Sequence, residues 1–307
     1  MSGGPLPVAI ELARPPSVAA VFGRGLLRAL ARRQGRASTA QLAELPPMSA
    51  RVGGVAIDLA RVALYREVCG VEDHSDVLPP AYPESLFLGL MGSLVTHRAF
   101  PLSPLGLIHV RQTIEQRAPI RARERLDLTC RLAGTRASDR GVELDWRMEV
   151  EVGGELRWEG VATVLSRNRV GHGRAGTPPA GDGAGRLDGL AELEVPEPTG
   201  RRFARASGDF NPHHLWTFTA RPLGYRRPIA HGMWTLARLL AELERGAPPH
   251  RTVCADVAFK QPIALPSRVR LLAARGAATD AAGERLVEVR PASGDGLHLV
   301  GRVALGR

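Results

Sequence analysis

A short run of residues occurs twice in this chain of 307 residues. The later copy, Asp256-Val-Ala-Phe-Lys-Gln-Pro262-Ile263, leads to Arg268-Val-Arg-Leu271. The earlier copy, Ile114-Glu-Gln-Arg-Ala-Pro119-Ile120, leads to Arg125-Leu-Asp-Leu128. The step from Pro-Ile to Arg-x-x-Leu has the same length in both. Each copy follows an apolar stretch with helical spacing, at residues 85–97 and 230–243. Each then runs into strands of alternating polarity, such as residues 142–152. Matching order and spacing read as one supersecondary unit used twice. The chain is long enough for two such units and a tail.

Composition places the boundaries. Residues 171–189, rich in Gly, Pro and Ala and without large apolar side chains except Leu187, read as a flexible linker. This gives a first unit over 46–170 and a second over 190–307, with residues 190–198 as an opening strand. Residues 1–45 form an N-terminal extension. Within it, residues 18–33 place apolar side chains at helical spacing with arginines between them. That pattern is too interrupted to span a bilayer and is expected to pack as a basic amphipathic helix. No other segment is long and apolar enough to span a membrane.

Apolar content is 44%, which suits a sizeable core, and net charge is +10. Lys260 is the only lysine, so arginine carries nearly all the positive charge. Such a surface attracts anionic partners. No nucleic-acid module and little aromatic interleaving accompany it, which argues against nucleic acid. Cys69, Cys130 and Cys254 are scattered, with neither metal nor redox spacing. They suit a reducing compartment, and the expected location is the cytoplasm. The nine histidines form no ligand-spaced cluster, so no metal is expected.

Residues 203–233 concentrate the chemistry. Gly208-Asp209-Phe210-Asn211-Pro212-His213-His214 sets a carboxylate and an imidazole five residues apart on a segment broken by turn signals. Pro212 fixes its own backbone and biases Asn211 away from helix, and the Asn211 amide can brace the loop. Histidine is the side chain best suited to moving protons near neutrality, and a carboxylate orients a partner or a water. His231-Gly232-Met233 then opens an apolar helix, whose first N–H groups lack intrahelical acceptors and face developing negative charge well.

The segment resembles the signature of the MaoC-like dehydratases, which include the (R)-specific enoyl-CoA hydratases. Phe203, Ser207, Gly208, Asp209, Asn211, Pro212, His214 and Ala220 match it. The Arg-Pro-Ile-Ala-His-Gly-Met run at 227–233 is similar to the family's second conserved stretch. Ala206 and His213 depart from it, and the register favours His214 over His213 as the acting imidazole. The resemblance implies an α+β double hotdog, two tandem units each with a long helix wrapped by an antiparallel sheet. It also implies a hydro-lyase acting on acyl thioesters, hydrating trans-2-enoyl or dehydrating (3R)-hydroxyacyl groups. Asp209 and His214 would be the catalytic pair and the Gly232 N–H the oxyanion donor. Ser207, Asn211, Pro212 and His231 would support them. Coenzyme A, or the phosphopantetheine of an acyl carrier protein, would enter only as part of the substrate. Arg226, Arg227 and Tyr82 are the expected substrate contacts, with Arg201, Arg202 and Arg221 as further candidates for phosphate.

If Gly70 takes the place of Gly208, then Val71 replaces Asp209 and Asp76 replaces His214. The first unit is therefore expected to be silent, leaving one active site per chain. Residues 79–83, Pro-Pro-Ala-Tyr-Pro, either line the substrate path or form a plain proline-rich loop. A monomer or homodimer is expected. Two other functions stay open: a hotdog thioesterase, and a non-catalytic acyl-binding subunit.

Overall fold

A computed structural model describes residues 6–18, 20, 21, 23, 45–72, 76–102, 107–167, 187–246, 252–274 and 283–306. Among the described residues, eleven strands form one continuous sheet. In the first unit β1 is Val8–Leu12, β2 Met48–Ala56, β3 Leu107–Gln116, β4 Arg125–Ser138, β5 Gly141–Val152 and β6 Glu155–Arg167. In the second, β7 is Leu187–Val195, β8 Thr252–Phe259, β9 Ser267–Ala274, β10 Arg285–Pro291 and β11 Leu299–Gly306. The order across the sheet is β1-β2-β4-β5-β6-β3-β8-β11-β10-β9-β7. Apart from β1, each half follows the same path, read inward from opposite edges, which is the duplication in three dimensions.

The join between the halves obeys that symmetry. β3 and β8 pair antiparallel, with Gln112 opposite Val257, Thr113 opposite Asp256 and Ile114 opposite Ala255. Pro119 and Pro262 put equivalent residues of the two copies 143 positions apart. On that offset, Thr113 and Asp256 are each other's counterparts and lie on the pseudo-twofold axis.

Alternation selects the inner face. In β5, Val142, Leu144, Trp146, Met148 and Val150 are buried, and the residues between them are less so. The first unit wraps a 3₁₀ turn, Pro83–Phe87, that continues into a helix, Leu88–Val95. The second wraps a regular helix, Gly232–Leu243. We label the helices in chain order: α1 Leu59–Cys69, α2 Leu88–Val95, α3 Thr199–Ser207, α4 Thr217–Ala220 and α5 Gly232–Leu243. Phe87, Leu90 and Leu94 around α2, and Leu236, Leu239 and Leu240 of α5, belong to one buried cluster with the inner faces of both half-sheets.

α1 and α3 pack on one another as a symmetric pair. Both end on a glycine in the left-handed region, Gly70 at φ 64° and Gly208 at φ 88°. Tyr65 meets Phe203 at 5.5 Å between ring centroids, and Arg61 Nε donates to the Ala206 carbonyl at 3.2 Å.

Three expectations change here. β7 begins at Leu187, inside the stretch read as linker, because Leu187–Val195 pairs along β9. Residues 171–186 lie outside the described residues. The extension supplies a strand as well as a helix: β1 pairs parallel to β2. Asp76 is not the counterpart of His214. Ala122 N–H donates to Asp76 O just as Leu265 N–H donates to Pro228 O, so Asp76 corresponds to Pro228. Asp76 comes six positions after Gly70, whereas Pro228 comes twenty positions after Gly208. The first unit therefore lacks the whole catalytic loop. The same register sets Pro79 and Pro80 where His231 and Gly232 stand, and Pro80 has no N–H to offer.

Most of residues 18–33 lie outside the described residues. Of those described, Val18, Ala20, Val21 and Gly23 are helical, and Val21 is buried against α2. A Cβ built on Gly92 would stand 2.2 Å from Val21 Cγ1. Gly92→Ala is therefore expected to destabilise the protein by about 1–3 kcal/mol through overpacking. Adding Val21→Ala should recover much of the loss in a double-mutant cycle read by denaturant unfolding. Simple additivity of the two changes would show that the extension does not rest on α2.

Candidate active site

The loop that carries Asp209 and His214 leaves α3 at Gly208 and returns to the sheet at Ile229, where a β-bridge to Ala264 anchors it. Its start is tightly turned. Ser207 Oγ donates to the Phe203 carbonyl at 2.9 Å and accepts from the Asp209 N–H at 3.1 Å. Asp209 Oδ1 accepts from the Asn211 backbone N–H at 3.1 Å and from Asn211 Nδ2 at 2.8 Å. Asn211 thus orients the carboxylate as well as bracing the turn. Pro212 opens a 3₁₀ turn ending at His214. Gly200 of α3 lets the helix approach that turn: a Cβ there would lie 2.1 Å from the His214 carbonyl oxygen.

Two hydrogen bonds set the imidazoles. A ring nitrogen facing a carbonyl oxygen must carry the proton. His214 Nδ1 lies 2.8 Å from the Ile229 carbonyl, which leaves Nε2 as the free lone pair. His231 Nε2 lies 2.9 Å from the Asp209 carbonyl and 3.7 Å from Asp209 Oδ2. The His214 and His231 rings stack at 3.5 Å between centroids. One ligand-type atom from each of Asp209, His214 and His231 falls within 4.8 Å of the others. Hydrogen bonds to carbonyls hold one nitrogen of each ring as a donor, and the other nitrogen of each ring keeps its lone pair.

Asp209, His213, His214, His231 and Gly232 all line one cavity of about 330 Å³. The N–H of Gly232 belongs to the first turn of α5, where no intrahelical acceptor exists. A side chain there would press on the Phe259 ring, 3.1 Å from the built Cβ. The cavity continues between the halves. Glu84, Leu88, Met91, Gly92, Val95 and Thr96 supply one wall from the first unit, with His109 of β3 among the strand residues. Arg140, Lys260 and His298 bring positive or titratable groups to it.

The expected substrate contacts fare differently. Tyr82 is buried edge-on against Tyr65, 5.1 Å between centroids, and does not line the cavity. Burial pushes its hydroxyl up to about 12. Residues 79–83 do not line the cavity either, while the next residue, Glu84, does. Arg226 and Arg227 are exposed on the surface beside Tyr225 and also stand outside the lining. Arg201 pairs with Glu197 at 2.7 Å and Arg202 with Glu67 at 2.5 Å, so both are engaged in the fold. The sequence reading missed Glu84, His109, Arg140 and Lys260. The only signal for Glu84 was an acid heading an otherwise apolar helix.

The family described as MaoC like domain matches residues 186–293, which span the catalytic loop and α5. A 3-hydroxyacyl-thioester dehydratase X from Mycobacterium tuberculosis is 32% identical over 233 residues, covering 76% of this chain and 82% of that protein. The chain belongs to the MaoC-like dehydratase family. The crystal structure of HtdX from the same organism superposes with a TM-score of 0.71 at 30% identity, covering 84% of this chain and 99% of that one. A second mycobacterial protein, described as a double hotdog, has a TM-score of 0.53 at 14% identity over 84% of this chain and 92% of that one. It bears on the fold alone, and the fold of this MaoC-like chain is a double hotdog.

Burial tunes the site in two opposed ways. It pushes His231 down to about 3, against the bond to the Asp209 carbonyl, and holds His214 well below the usual histidine range, helped by the neighbouring His231 and His213 rings. The fold favours these rings neutral, so stability falls as pH drops below about 6.5. Burial pushes the Glu84 carboxyl up to about 8, and the nearby Asp209 charge adds to the shift. The fold favours this acid protonated, so stability also falls as pH rises from about 4.5 toward 8. At about 1.4 kcal/mol per pKa unit, the Glu84 contribution is a few kcal/mol. Thermal unfolding of Glu84→Gln is expected to gain on the wild type steadily between pH 5 and pH 8. A constant difference across that range would mean that Glu84 is not buried as an acid.

Proposed function

We propose that this chain reversibly adds water to trans-2-enoyl thioesters, as a hydro-lyase of the hydratase and dehydratase class. The observation that carries the reading is the fixed tautomer of His214, whose Nε2 lone pair lines the cavity beside the Asp209 carboxylate. In the hydration direction a water bound between the two gives a proton to His214 Nε2. Its oxygen bonds to the β-carbon while the π electrons move toward the thioester carbonyl. The Gly232 N–H stabilises the enolate oxygen. The proton held by the pair then passes to the α-carbon, giving a 3-hydroxyacyl thioester. Dehydration is the same path reversed, and family resemblance supports the (3R) configuration. A neutral His214 is ready to accept that proton at physiological pH.

The phosphates of coenzyme A, or of a carrier-protein phosphopantetheine, meet Arg140 and Lys260 in this reading, not Arg226 and Arg227. Burial, with the nearby Arg140 and Arg111 charges, lowers Lys260, while Glu143 and Asp256 pair with those two arginines. The acyl chain runs inward along α2. The protein uses no cofactor beyond the substrate's own phosphopantetheine and works in the cytoplasm as a monomer or homodimer. Among the described residues no helix is long and apolar enough to cross a membrane.

The test follows enoyl-thioester absorbance with crotonyl-CoA and a longer 2-enoyl-CoA, alongside a thiol reagent. Loss of absorbance without thiol release is expected. Asp209→Asn and His214→Ala are expected to lower kcat by about 10²–10⁴-fold while the far-ultraviolet circular dichroism stays unchanged. Thiol release would indicate a thioesterase. Near-wild-type turnover in both variants would refute the assignment.

A further inference from the structure

Among the described residues Glu84 has no partner that explains its burial. Its side chain is only 7% exposed, it lines the cavity, and no described residue supplies a hydrogen bond or ion pair to its carboxyl. The neighbouring Ser85, by contrast, closes a bond to the Tyr82 carbonyl at 2.7 Å. Burying a polar group without a hydrogen bond costs roughly 1–3 kcal/mol by mutational measures. An apolar residue would serve the packing better, and the catalytic steps above do not use the group.

Its place along the cavity is defined. Glu84, Leu88, Gly92 and Val95 follow one another at helical spacing from the 3₁₀ turn through α2, and all four face the cavity. Glu84 lies within reach of the Asp209 charge, and Leu88, Gly92 and Val95 follow it along α2. His109, also within reach of the Asp209 charge, adds a second polar side chain at this level. An acyl chain leaving the catalytic pair therefore meets a carboxyl first and the apolar stripe afterwards. Held protonated near neutral pH, that carboxyl can donate one hydrogen bond and accept others.

We propose that Glu84 is a specificity-determining residue that hydrogen-bonds an oxygen substituent, hydroxyl or carbonyl, carried by the acyl chain just beyond the reacting carbons. The preferred substrates are then oxygenated acyl thioesters, not plain alkyl ones. The inference rests on the hydratase reading of the site. A site built around a substrate hydroxyl discriminates strongly against the analogue lacking it, because its own polar group is then left unpaired.

The experiment compares kcat/KM for trans-2-octenoyl-CoA with that for its 4-hydroxy and 5-hydroxy derivatives, using wild type, Glu84→Gln and Glu84→Leu. Wild type should favour one hydroxylated substrate by at least about tenfold. Glu84→Leu should reduce that ratio at least about tenfold, and Glu84→Gln, which still donates and accepts, should keep most of it. A wild-type ratio at or below one, or equal losses on both substrates in Glu84→Leu, would overturn the proposal. Should Glu84→Leu not fold, the wild-type ratio and the Gln variant still decide. Should wild type hydrate neither class, the hydratase reading fails separately. Calorimetry with octanoyl-CoA and 5-hydroxyoctanoyl-CoA then tests Glu84 alone, and equal affinities would overturn its role.

Discussion

The hydrogen bond from His231 Nε2 to the Asp209 carbonyl joins the two segments that supply the site, the loop after α3 and the turn before α5. With it, the His231 ring becomes a buried plate on which His214 stacks, and His214 can spend its Nδ1 proton on the Ile229 carbonyl. The lone pair on His214 Nε2 follows from that second bond. So does the local balance of charge: burial keeps both rings neutral, and Asn211 occupies one carboxylate oxygen of Asp209. The geometry of the site is a property of two cross-braced backbone segments, not of two side chains on a flexible loop.

The duplicated fold leaves Asp209 and His214 without counterparts in the first half. The two halves share strand order, a glycine-capped helix pair and a pseudo-twofold axis through Thr113 and Asp256. They differ where chemistry is concerned. The first half has a short loop after Gly70, Val71 in place of the carboxylate, and prolines at the positions of His231 and Gly232. What it contributes is a wall. Its helix begins irregularly, as a 3₁₀ turn, and that irregular start carries Glu84 on the cavity face.

Much of this was legible in the sequence because it depends on local rules. The Pro-Ile to Arg-x-x-Leu spacing gave the duplication, since strand and turn lengths in a repeat are tightly constrained. Gly208, Asp209, Asn211, Pro212 and His214 form their turns among themselves, so their arrangement could be read from their order. The misplacements have a common cause. Asp76 was paired with His214 by counting along the chain, and only sheet hydrogen bonds reveal the missing residues. Tyr82 looked like a tunnel residue, but its ring completes the packing between Tyr65 and the first unit's core. Arg226 and Arg227 lie beside the motif in sequence, whereas Arg140 and Lys260 reach the cavity from a β-turn and a strand end in different halves. Contacts made across the pseudo-twofold leave no local signature.

The central claim is that Asp209 and His214 direct water to carbon and leave the thioester intact. The most direct measurement is the fate of the water oxygen. The protein would be incubated with a trans-2-enoyl-CoA in ¹⁸O-labelled water, and the products analysed by mass spectrometry. The account predicts one ¹⁸O atom in an intact 3-hydroxyacyl-CoA, located at the β-carbon and of (3R) configuration. Label appearing instead in a free carboxylic acid would contradict it, because the water would then have attacked the carbonyl.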